Sequence, residues 1–293
     1  MNRATSSHSF ISTDLLPWTD RAGRLSWLKL VTFLLCIAPI LWMAYEWKAA
    51  LWSAKPLTAL IRETGDWAVR FIALSLLITP LRYASRWNRL ILIRRMLGLT
   101  ALAYTIIHIV LYVIDREFGL LTILYDVLLR LYLILGLIAT LILIALGVTS
   151  NSYWIGRLGA LQWNRLHLWT YPAAALSLLH VFLVIRLNAF EASLISGLLL
   201  LFVSFRLLRQ CANPSSPLKW LALAILCGVM TALIEVIFYR ISTGVDPMRV
   251  LIANLDFSYE IRPAWWVFLS GLTLGILALI QNLSLSRKAS PLA

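Results

Sequence analysis

Three of the four histidines in this 293-residue chain, His108, His167 and His180, stand inside strongly apolar stretches, and the fourth, His8, lies in a polar N-terminal tail. An imidazole is costly in such a stretch, so it faces a packed interior and serves either a hydrogen bond between segments or a ligand. One histidine alone is often just a hydrogen-bonding group. Three together, with none in any other apolar stretch, favour a metal centre, because two neutral imidazoles on facing helices can grip one iron axially.

The elements that position these rings follow from composition. The chain is 61% hydrophobic and 13% charged, with a mean hydropathy of +0.83. Apolar runs recur at roughly 27–46, 67–83, 96–114, 127–148, 165–187, 193–209, 218–239 and 264–283. Each can cross a hydrocarbon core of about 30 Å as a helix, and each is too long for a barrel strand. The expectation is an all-α integral membrane protein of about eight spans. A net charge of +13 suggests nucleic acid in a soluble protein, but here the basic residues gather in short loops between spans. With the N-terminus inside, sixteen of the twenty-six Lys and Arg fall on the cytoplasmic side and nine outside, so both termini are expected in the cytoplasm.

The polar start, ending in Arg21 and Arg24, precedes a full-length apolar run with no small-residue cleavage site, which reads as an uncleaved first span. Cys36, Cys211 and Cys227 are odd in number and lack CxxC spacing, so neither a disulfide framework nor a thiolate metal site is supported. The stretch "CANPSSPLK" (211–219) separates six spans from two. The expected organisation is a polar tail over 1–26, a six-span block over 27–210, a linker over 211–217 and a two-span hairpin over 218–293. Most tryptophans fall near expected interfaces, as belt residues do, with Trp169 and Tyr171 nearer His167.

Depth sorts the histidines. The third and fifth spans both start at the cytoplasmic face, and His108 lies thirteen residues in from Arg95, about 20 Å. His180 lies the same distance beyond His167. His108 and His180 therefore share an outer level on two helices, and His167 shares an inner level with Arg95. A guanidinium cannot ligate iron but can clamp a propionate or a phosphate. On one straight helix His167 and His180 differ by about 140° around the axis. Pro172 between them permits a kink; either that kink turns both inward or they serve different sites.

The stretches "TGDWAVRFIALSLLITPLR" (64–82), "RRMLGLTALAYTIIHIVLY" (94–112), "ALGVTS" (145–150) and "RLGALQWNRLHLWTYPAAALSLLH" (157–180) occur in an order that resembles the ferric reductase-like transmembrane family. Within it they resemble the MsrQ (YedZ) branch of haem-binding membrane subunits that serve methionine sulfoxide reductases. The resemblance implies a six-helix bundle in a bacterial inner membrane, with His108 and His180 as axial ligands of a b-type haem. It implies that His167 belongs to an inner haem or flavin site and that FMN is a second cofactor, for which Arg94 and Arg95 are the candidate contacts. The implied donor is a cytoplasmic flavin reductase or the quinone pool, and the implied acceptor a periplasmic molybdopterin methionine sulfoxide reductase of the MsrP type. The implied role is that of an electron-transfer subunit. The chain departs from the pattern in its long tail, in Leu131 where the family has proline, and in the two spans after residue 215. No flavin and nicotinamide domain is present, so the expected conduit needs an electron-donating partner. Glu235, near the outer end of its span, is expected to be solvated at the interface.

Two alternatives stay open. One keeps the haem and makes the protein a ferric or quinone-linked reductase. The other is a transporter relaying protons through histidines, a class usually marked by internal repeats, of which the sequence offers no convincing one.

Overall fold

The structure, a computed structural model, describes residues 16–19, 23–49, 51–52, 55–211 and 217–289. His8, most of the expected tail and residues 212–216 of the expected linker lie outside the described residues. Eleven helices follow in order: α1 Trp27–Lys48, α2 Pro56–Ser85, α3 Ile91–Asp115, α4 Leu120–Leu129, α5 Leu131–Val148, α6 Ser152–Leu166, α7 Thr170–Val184, α8 Phe190–Cys211, α9 Pro217–Thr243, α10 Pro247–Ala253 and α11 Pro263–Ala289. Among the described residues, eight stretches are long and apolar enough to cross a bilayer. The protein is an all-α integral membrane protein. Residues up to Leu51, with α1, form one unit, and Trp52 onward forms another.

Within the second unit α2 is the mast. It is the most buried of the spans, and α3, α7, α8 and α11 all pack on it. It starts with Pro56 in the first turn, where a missing N–H costs no bond, and ends where Arg86 turns left-handed at φ 55°. The sequence reading began this helix at 67 because Arg62, Glu63 and Asp66 depress its hydropathy. These residues are helical nonetheless, and Arg70 joins Glu63 (3.4 Å) and Glu191 in an ion-pair group that offsets the charge.

Two expected spans are broken. The fourth is two helices, because Arg130 is extended (φ −112°, ψ 108°) between α4 and α5. Leu131 opens α5 at the first helical position, the place where proline is well tolerated. In the fifth, α6 bends at Gly159 (φ 77°) and has no buried residue. A 3-10 turn over His167–Trp169 then separates α6 from α7. That turn, rather than a kink at Pro172, is the break between the histidines. Pro172 lies in the first turn of α7, where its missing N–H is harmless.

The C-terminal helices α9 and α11 pack on each other and on α8, and α11 also packs on α2. Glu235 corrects the expectation of interfacial solvation. It is fully buried, accepts a hydrogen bond from Asn254 Nδ2 at 3.0 Å and pairs with Arg262 at 3.3 Å. A buried carboxylate needs such partners, and the sequence alone could not supply Asn254, which α10 brings back to α9.

Candidate functional site

The outer level is built twice in the same way. His108 on α3 reaches α2, where its Nδ1 lies 2.7 Å from the Ile61 carbonyl oxygen. His180 on α7 reaches α5, where its Nδ1 lies 2.7 Å from the Tyr132 carbonyl oxygen. A carbonyl only accepts, so each Nδ1 carries the proton and each neutral ring keeps its Nε2 lone pair free. One helical turn after each carbonyl stands a glycine, and the ring lies on it. A Cβ at Gly65 would come within 3.0 Å of His108 Nδ1, and one at Gly136 within 2.9 Å of His180 Nδ1. A side chain at Gly136 would force the ring to shift, and one at Gly65 would press on it.

The chain separations, 47 residues from Ile61 to His108 and 48 from Tyr132 to His180, are nearly equal. The two halves share this local pattern of carbonyl, glycine and histidine, which only a glycine and a histidine in each half mark in the sequence. The two rings face each other with centroids 6.3 Å apart and planes at 88°. They line a largely apolar cavity of about 360 Å³ together with Gly65, Ala68, Gly136 and Leu143.

His167 is different. Its Nδ1 donates to the Trp163 carbonyl at 3.1 Å, and its Nε2 lies 3.2 Å from Ser150 Oγ. Trp163 stacks on the ring at 3.8 Å. Ser150 Oγ also reaches the Leu146 carbonyl at 2.7 Å, so its one proton is shared between two acceptors. Both nitrogens of His167 are thus engaged, and no second histidine faces it among the described residues. Trp169 is exposed, and Tyr171 accepts a hydrogen bond from Arg206 at 3.1 Å.

Near His167 lies a second, polar cavity of about 340 Å³, lined by Thr79, Arg82, Tyr83, Arg94, Arg206 and Arg209. Arg94 is close enough to His167 to act on it electrostatically, whereas Arg95 is exposed and lines neither cavity. The guanidinium of Arg209 lies 3.5 Å from the centre of the Tyr83 ring, and Arg82 donates to the Tyr83 hydroxyl at 2.8 Å. No carboxylate pairs with any of the four arginines among the described residues. Four cations around one cleft, with no carboxylate paired to them among the described residues, can hold an anion.

The family model for the ferric reductase like transmembrane component matches residues 64–178. A "Protein-methionine-sulfoxide reductase heme-binding subunit MsrQ" of Rhodospirillum rubrum is 34% identical over 64% of this chain and 88% of its own length. The chain belongs to the MsrQ family. MsrQ proteins of Caulobacter vibrioides and Polaromonas naphthalenivorans are 33% and 39% identical, over 90% and 76% of their lengths. No solved structure matches.

In this MsrQ family member, sequence reasoning named the histidines and Arg94 as candidates but not the groups that surround them. Gly65 and Gly136 carried no signal as single glycines in apolar runs. Arg206 and Arg209 had one: with Arg82 and Arg94 they lie at span ends on the same expected face. The carbonyl partners are backbone and carry no side-chain signal at all.

Proposed function

We propose that the protein carries electrons across the membrane through a b-type haem held between His108 and His180. The observation that carries this reading is the pair of imidazoles whose Nδ1 atoms are pinned to backbone carbonyls, whose Nε2 lone pairs are left free and whose ring centres lie 6.3 Å apart. Second-sphere carbonyls of this kind orient metal-binding histidines and make them better ligands. Two metal–nitrogen bonds of about 2 Å, with about 1 Å from each nitrogen to its ring centre, put two centroids roughly 6 Å apart. The observed 6.3 Å fits one iron between them. The printed names of the relatives, heme-binding subunits, support the same cofactor. Bound there, the haem iron supplies one-electron chemistry. The chain's own residues hold the ligating nitrogens and keep water away with an apolar wall.

The arginine cleft, with Arg94 and His167 beside it, is the inner station. Its charge suits the phosphate of FMN or an acidic donor, a cytoplasmic flavin reductase or the quinone pool. Arg94 and His108 lie fourteen residues apart on α3, about 20 Å along its axis, so the two stations divide the crossing into shorter hops. The acceptor is a periplasmic molybdopterin methionine sulfoxide reductase of the MsrP type, at an inner membrane whose cytoplasmic side carries both termini. Purified protein from haem-replete cells is expected to show a Soret band and the reduced spectrum of two axial imidazoles, with one flavin lost when the cleft arginines are neutralised. Colourless protein overturns the reading. Deletion of the gene, followed by assays of periplasmic methionine sulfoxide repair and of ferric-chelate reduction, separates this acceptor from a ferric reductase.

A further inference from the structure

We infer that Arg62 and Tyr112 anchor the haem propionates at the outer end of the cavity, an inference that rests on the haem reading above. A haem is an apolar disc with two carboxylates on one edge, so its orientation is set by which end of its cavity offers free donors. Arg62 and Tyr112 both line the cavity. The Tyr112 hydroxyl is buried and has no hydrogen-bond partner. Arg62 makes no ion pair or hydrogen bond among the described residues. The neighbouring cations Arg70, Arg116 and Arg130 do not line the cavity; Arg70 pairs with Glu63 and Glu191, and Arg116 and Arg130 with Asp126 at 3.5 and 3.0 Å.

The opposite end offers no charge. Ala68, Val69, Ala139 and Leu143 line it, and the hydroxyls of Thr105 and Thr140 donate to carbonyls of their own helices at 2.9 and 2.8 Å. Ser177 alone adds an uncharged hydroxyl there. Asp66, one turn inward of Arg62, is the single carboxylate on the cavity wall. Asp66 offers a propionate no cation, so the cation on the cavity wall stands at the Arg62 level and not deeper. A buried phenol without a partner costs free energy unless a ligand satisfies it, and a guanidinium matches a carboxylate. The haem then lies with its carboxylate edge toward the side where electrons leave.

The test compares haem b with its dimethyl ester, which lacks the charges. Full-length protein from haem-starved cells, in nanodiscs, is titrated with each and the Kd read from the Soret band. Wild type is expected to prefer the diacid by about tenfold, the worth of a hydrogen bond to a charged group. In the double variant Arg62→Gln with Tyr112→Phe the preference should fall to about onefold, and Arg62→Lys should restore part of it. Both positions tolerate these changes, since Arg62 is exposed and phenylalanine keeps the ring. An unchanged preference in the double variant, with haem bound normally, overturns this inference and leaves the haem reading standing. Failure of wild type to bind either porphyrin overturns both.

Discussion

The outer and inner histidine levels use the same residue type to opposite ends. At the outer level each ring spends one nitrogen on a neighbouring helix and keeps the other free, with the two ring centres 6.3 Å apart. At the inner level His167 spends both nitrogens locally and lies flat against Trp163. The difference teaches that burial and depth do not by themselves equip a histidine to ligate a metal; a free nitrogen with a second imidazole beside it does. The inner level draws its chemistry from guanidinium groups instead.

The comparison is broken most severely at the ligands. His108→Ala or His180→Ala should each remove nearly all haem, read as loss of the Soret band per protein by pyridine haemochrome. Retention of normal haem in either variant would sink the two-ligand arrangement. The next effect tests the glycines. Gly136→Leu should cut haem content several-fold by displacing the ring, and Gly65→Ala, whose Cβ meets its ring at 3.0 Å, should cost less. Unaltered haem in Gly136→Leu argues that the ring is not held where the carbonyl puts it.

The inner level is sharpened by smaller changes. Arg94→Gln should weaken retention of FMN by about tenfold, as loss of a charge-assisted hydrogen bond does. Arg95→Gln should leave it within about twofold, as a surface charge outside the cleft does; equal losses in the two variants would erase the distinction between them. The smallest effect is on the outer haem in His167→Ala, which should keep its absorbance. Loss of that band means that His167 supports the outer site directly or ligates a haem of its own.

The reach of the sequence differs from residue to residue. His108 and His180 were legible because helical rise is constant, so thirteen residues from the same face gives the same height on any helix. The angular mismatch between His167 and His180 was legible too, but its resolution was not. A 3-10 turn absorbs it, and that turn depends on what the segment packs against. Asp66, Glu63 and Arg70 made α2 look shorter than it is, since hydropathy counts charges singly and cannot see that Glu191 answers Arg70. Glu235 was misjudged for the same reason, its partners being Asn254 and Arg262 from later elements.

From the amino-acid order alone came the membrane, the helices, the expected orientation and the height of each imidazole. These follow from local transfer free energies and a fixed helical pitch, which need no knowledge of neighbours. Tertiary packing decided which nitrogen stays free, which glycine admits a ring, and which arginines share a cleft. Those depend on how helices rotate and lean against one another, and distant parts of the chain set that jointly.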